Sequence, residues 1–417
     1  MSRHIYRGVC LSLVAALFVL GCTSDDDGEA SPSAPSAAVT ATPSPTPTTE
    51  VSTPTVAPRA TPMTSPGPAE PAAWTHYGVG DAGDRRTVLQ IDVNPDGTTW
   101  ALLASGVGGE QVTYEALRFQ DDQWVGFDGL QLTEKRPFAG WFGYTHPVLA
   151  AGIDGNAWIL DIREPQTEPE EAVLVGDLWE FDGRSWIENE SGTRPYGMID
   201  LGGDGVLWAA YAQDYRPMIL RSYEGESWAE QPDFPSSTTS FHVDAQGQVW
   251  ARGSSGVMRL DGGGWEVHAY LLPAGDEEGW IAPEDGYVVA PDGTMWAVLG
   301  RGDRYADAEL LTETFDGEAW SVWPADTSSA AWTEASALAL SSWWRLAALG
   351  DEHLFVSREA QLIWFDVAGV AQVIPLDGGA GNGDVTAHAA DSEDTIWIGK
   401  GGVLTRFTPA SYEASSG

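Results

Sequence analysis

Three polar residues stand where a β-rich repeat should carry apolar ones. Asp92, Asp200 and His242 each lie eight residues before a tryptophan, at Trp100, Trp208 and Trp250. The matching positions elsewhere hold Ala150, Val288, Ala347 and Ala389. Side chains at one height on neighbouring strands converge, and a converging His/carboxylate set can move a proton or hold a cation. The plainer alternative is a polar lining satisfied by water. Arg345 joins these three as a candidate polar residue of the same mouth. Asp92-Val93-Asn94-Pro95-Asp96-Gly97 also matches the opening of a calcium loop, but Leu103 replaces the expected bidentate Glu and Pro95 alters the turn. Calcium at Asp92, Asn94 and Asp96 would need another geometry, and no other cofactor is expected. No His pair or free Cys has zinc-ligand spacing. Nucleophile elbow, phosphate loop and recognisable triad are all missing from the sequence.

The strands that carry these residues are announced by a two-part phrase. Asp96-Gly97-Thr98-Thr99-Trp100 is followed by Asp121-Asp122-Gln123-Trp124, and Asp154-Gly155 to Trp158 by Asp182-Gly183 to Trp186. The phrase recurs at Asp204 to Trp208 with Glu224 to Trp228, Gln246 to Trp250 with Asp261 to Trp265, and Asp292 to Trp296 with Asp316 to Trp320. A degenerate sixth copy runs from Asp351 to Phe355, then Phe365-Asp366 and Gln372 to Pro375. The seventh, Glu393 to Trp397, reaches Phe407 without a second Trp. Trp74-Thr75-His76-Tyr77 has the shape of the missing strand. The segments alternate with period two, as strands do. Gly supplies positive φ at each turn, and the following Trp supplies packing area. These features predict an all-β, seven-bladed β-propeller of four-stranded blades over 74–417, closed by the N-terminal strand joining the last blade. An open solenoid is the rival.

In such blades both repeated turns fall on one face, and the variable connections fall on the other. Variation confined to one face is where binding is built. The connections carry Trp141, Tyr144 and His146; Tyr211, Tyr215 and Arg216; Trp280; Arg301, Asp303, Arg304 and Tyr305; and Trp343 and Trp344. Aromatic rings beside Arg and Asp suit stacking on sugars or a protein hot spot. They equally suit capping of the core.

Ahead of the repeats, Arg3, His4 and Arg7 precede an apolar run from Val9 to Leu20, too short to span a bilayer. Val19-Leu20-Gly21-Cys22 resembles a bacterial lipobox. Residues 1–21 are therefore expected to be a lipoprotein signal peptide and Cys22 the lipidated residue. Segment 22–73, rich in Pro, Ser, Thr and Ala, is expected to be a disordered tether. With Cys10 removed, one Cys remains and no disulfide is available. The chain has a net charge of −40. That field repels nucleic acid and anionic lipid, leaving the lipid as the only expected membrane attachment.

The repeat itself resembles two known classes. Asp391 to Phe407 is similar to the two-component-regulator propeller repeat, and the other Asp-Gly-x-x-Trp turns resemble those of streptogramin-lyase-like propellers. The first resemblance implies an extracytoplasmic sensing ring. The second implies elimination chemistry with a His/Glu set and a divalent metal, which does not map onto this chain residue by residue. The expectation is a monomeric binding module for a protein, peptide or glycan, anchored by lipid to the outer face of the bacterial cytoplasmic membrane. The alternative is a lyase or hydrolase with its site at the channel mouth.

Overall fold

The computed structural model describes residues 61–62, 74–79, 86–106, 112–134, 147–163, 175–213, 216–272, 280–281, 286–301, 309–323, 345–376 and 385–409, apart from short gaps inside these spans. Their strands form seven antiparallel sheets, each built around four strands and arranged in a ring. The innermost strands of blades 1 to 7 are Arg86–Val93, Val148–Ala151, Tyr196–Leu201, Thr238–Val243, Tyr287–Val289, Arg345–Leu349 and Val385–Asp391. Blade 5 adds Trp280–Ile281 beside Tyr287–Val289, both paired with Met295–Arg301. Among the described residues no helix is long and apolar enough to cross a membrane.

Turn chemistry sets the strand ends. The first residue of the turn accepts the N–H two positions on: Asp96 Oδ1 from Thr98 at 2.8 Å, and Asp292 Oδ1 from Thr294 at 2.9 Å. The glycine after it takes the left-handed conformation, with φ of 86° at Gly97 and 92° at Gly293. In the outer turns, backbone N–H groups of Ser185 and Ala319 hold the carboxyls of Asp182 and Asp316 below their usual range. The innermost strands share one register. Asp92, Ala150, Asp200, His242, Val288, Ala347 and Ala389 each pair with the aromatic residue eight positions later.

The ring closes through its N-terminal strand. Trp74–Gly78 pairs antiparallel with Val403–Phe407, from Trp74 opposite Phe407 to Gly78 opposite Val403, which completes blade 7 and excludes the open solenoid. A further short strand, Thr61–Pro62, pairs outside it within the segment expected to be tether. Pro62 offers no N–H to another strand, which suits an edge.

The apolar core is divided into seven clusters, one for each seam between neighbouring blades. The first aromatic of each blade leans toward the following blade, and the second Trp leans back. Trp100 meets Trp186 at 5.6 Å, and Trp397 meets Trp124 at 5.2 Å, both edge-to-face. In blades 1, 4 and 7 the residue opposite the first Trp is Arg118, Arg259 or Arg406, each with its guanidinium 5.8 Å from that ring.

Blade 6 has no second Trp. Trp323 of blade 5 fills that seam instead, 4.5 Å from Trp296 and 5% exposed. Trp323→Ala should cost about 3–5 kcal/mol. Val322→Ala, at a 43% exposed side chain one position away, should change stability by less than about 0.5 kcal/mol. Denaturant unfolding of the two variants checks the contrast.

Candidate functional site

Every blade leaves one strand edge at the axis with no further strand to pair. Blade 1 answers this with side chains at alternate positions of its innermost strand. Gln90 Nε2 donates to the Leu149 carbonyl at 2.7 Å, and its Oε1 accepts the Leu149 N–H at 2.9 Å. Asp92 Oδ2 accepts the Ala151 N–H at 2.6 Å, and Asn94 Nδ2 donates to the Ala151 carbonyl at 3.2 Å. Three side chains thus imitate a strand against the free edge of blade 2. Blade 3 repeats the device: Asp200 Oδ2 accepts the Val243 N–H of blade 4 at 2.7 Å.

Asp200 also meets the side chain of His242, with 2.9 Å between Oδ2 and Nδ1, while its Oδ1 accepts the Leu201 N–H at 2.8 Å. Asp92, Asp200, His242 and Asp244 line a cavity of about 100 Å³. Its walls come from blades 1, 2, 3, 4, 5 and 7, a combination that only the ring axis brings together. Burial, reinforced by the charge of Asp200, pushes the Asp92 carboxyl up to about 6. For His242, burial pulls the pKa down, but the charge and hydrogen bond of Asp200, with the charges of Asp244 and Asp92, outweigh it and leave it raised. The protonated imidazole is thus favoured by the carboxylates around it.

The sequence candidates separate into two places. Asp92, Asp200 and His242 lie together at the end of the innermost strands next to the tight turns. Arg345 begins its strand at the opposite end and is not part of this cavity. Its carbonyl accepts hydrogen bonds from Ser357 Oγ at 3.5 Å and from His388 Nδ1 at 3.4 Å. Burial lowers the His388 pKa to about 4, so this second axial histidine is neutral. Tyr211, Arg216, Trp280 and Arg301 are strand residues at the end away from the tight turns, where Trp280 pairs with Arg301. Cys22, Trp141, Tyr144, His146, Tyr215, Asp303, Arg304, Tyr305, Trp343 and Trp344 lie outside the described residues.

The calcium candidate is engaged in turn and seam. Asn94 Oδ1 accepts the Asp96 N–H at 3.1 Å, Asp96 Oδ1 caps its own turn, and Asp92 is bonded to blade 2. Among the described residues no group of three His, Cys, Asp or Glu side chains is placed to hold a metal ion. Gln90 escaped the sequence reading, and Asn94 entered it only as a calcium candidate. They lie two residues either side of Asp92, so period two was the signal that could have found them.

No family model matches the chain, and no curated protein matches it. Solved structures of similar fold include YCF48 bound to D1 peptide, with 15% identity, TM-score 0.48, and coverage of 81% of this chain and 97% of that one. A catalytically inactive virginiamycin B lyase from Staphylococcus aureus with quinupristin has 13% identity, TM-score 0.43, and coverage of 80% and 99%. The extracellular domain of the putative one component system BT4673 from B. thetaiotaomicron has 11% identity, TM-score 0.43, and coverage of 78% and 41%. Streptogramin lyases, which the turns resemble in sequence, are thus among the similar structures. The likeness at these identities is one of fold.

Asp92→Asn keeps an oxygen for the Ala151 N–H and removes the charge. The folded-state value of Asp92 lies above the ordinary 3.8, so its ionisation weakens the fold as pH rises from about 4 through about 6. The variant should melt about 2–4 °C higher than the parent at pH 8, and the two should coincide near pH 4. Thermal melts across that range test it.

Proposed function

We propose that the protein is a lipid-anchored, extracytoplasmic binding module that engages a protein, peptide or glycan on the rim built from its long connections. The supporting observation is the separation of the two rims. Repeated tight turns occupy one end of the strands, where the polar side chains are already bonded to neighbouring backbone and about 100 Å³ remains. That volume suits a few waters and is too small for an organic substrate. Connections of variable length leave from the other end and carry the aromatic and Arg-rich segments. The acidic surface favours a partner that presents cations. Cys22 supplies the anchor, and the Pro-rich segment lifts the ring from the membrane.

One observation favours a second reading, a lyase or hydrolase at the axial mouth. Asp200 and His242 form a carboxylate–imidazole pair beside a cavity, the arrangement that orients a base. Against this use, Asp200 is already bonded to the Val243 and Leu201 N–H groups.

Labelled palmitate should enter the wild-type chain in bacterial cells and be lost in Cys22→Ser. A thermal-shift screen with peptides, glycans and divalent cations should yield a ligand whose shift disappears in Trp343→Ala/Trp344→Ala and persists in His242→Ala. Consumption of a screened compound, abolished by His242→Ala, would overturn the binding reading in favour of the enzyme.

A further inference from the structure

Away from the axial cavity, the seam between blades 4 and 5 holds an acid that neither reading uses. Glu313, in the middle of Glu309–Phe315, is 0% exposed. Its Oε2 accepts the Leu271 N–H at 3.1 Å, just after the outer strand of blade 4, Gly264–Ala269. The preceding N–H, that of Tyr270, donates to the Ser255 carbonyl of blade 4 at 3.1 Å. Two successive backbone donors therefore hold the departing chain, one to each side of the seam.

One polar atom of this contact is left over. Glu313 Oε1 is buried and has no hydrogen-bond partner among the described residues, whereas the buried Tyr270 hydroxyl lies next to Arg252. An ionised carboxylate only accepts, whereas the neutral acid also donates and carries no charge to bury. Among the described residues the ionisable neighbours are few. Arg252, 3% exposed in the second strand of blade 4, lies 6.0 Å from the Tyr287 ring and acts electrostatically on Tyr270. Burial raises the pKa of Tyr270 and Tyr287, so both are neutral. His268, on the outer strand of blade 4, meets Phe315 at 4.9 Å in a tilted arrangement and faces Glu266 at 3.8 Å.

We propose that Glu313 is a proton-operated clasp, which as the neutral acid holds the chain leaving blade 4 against blade 5 and on losing its proton loosens that seam. Burial pushes the Glu313 carboxyl up to about 7, against the opposing pull of the Leu271 N–H. Because the folded-state value exceeds the ordinary 4.5, the clasp is at full strength below about 4.5 and is lost as pH rises through about 7. The clasp acts near neutral pH, whatever the ring binds.

Amide hydrogen exchange on the full chain reads the clasp directly. Corrected for intrinsic exchange, protection at Tyr270 and Leu271 should fall about tenfold or more between pH 5.5 and 8.5 in the wild type. Glu313→Gln keeps an accepting oxygen and has no proton to lose, so its protection should change less than about twofold. Unchanged wild-type protection, or an equal fall in Glu313→Gln, overturns the proposal. If that variant does not fold, the carboxyl ¹³C shift of Glu313 in the wild type decides. A midpoint near 7 supports the clasp, and one below about 5 overturns it.

Discussion

Seven sheets meet at the axis of this ring, and each presents a strand edge that no further strand can cover. Unpaired backbone groups buried there would cost about as much as lost hydrogen bonds, so side chains must stand in for the missing strand. Gln90, Asp92 and Asn94 do this for blade 2, and Asp200 does it for blade 4. At the join of blades 7 and 1, Thr386 Oγ1 reaches the Val88 carbonyl. The polar cluster at the axis is thus first a consequence of the architecture. Its shifted pKa values follow from the same cause, since carboxylates placed to serve backbone donors end up near one another and partly buried.

The outer part of the ring obeys a different rule. Each blade is too thin to bury apolar surface alone, and its two faces find cover only against neighbours. Aromatic rings from the two turn types meet across seams such as those of blades 1 and 2 and of blades 7 and 1, and the core is distributed over seven places. The scheme tolerates local failure. Where blade 6 lacks its second Trp, Trp323 reaches in from blade 5, because the seam requires the volume of a large ring and not a particular strand to supply it. The same tolerance lets Glu313 occupy the seam of blades 4 and 5 as an acid.

Chain direction then decides where function can be placed. Strands alternate up and down within each blade, so the two short turns share one rim while the connections that vary share the other. The tight-turn rim is constrained by Asp-capped turns and by the axial hydrogen bonds. The opposite rim carries the connections whose lengths vary. The binding proposed at that rim would use the part of the chain that varies most from blade to blade.

The periodic Asp-Gly-x-x-Trp phrase determined the blade count, the turn conformations, the shared register of the innermost strands and the closure by Trp74–Gly78, because all of these are local or repeat with a fixed spacing. It also marked Asp92, Asp200 and His242 as occupants of one height. What only the tertiary structure decided was which equal-height residues touch and how they are charged. Asp200 reaches His242 across a seam, whereas Arg345 sits at the far end of its strand. The isolation of Glu313 was illegible for a similar reason: it lies in a polar-looking strand, Thr312-Glu313-Thr314, and its burial is imposed by Leu271 from another blade. Spacing along a chain encodes height around a ring, but burial and charge coupling depend on neighbours that the ring brings in from distant sequence.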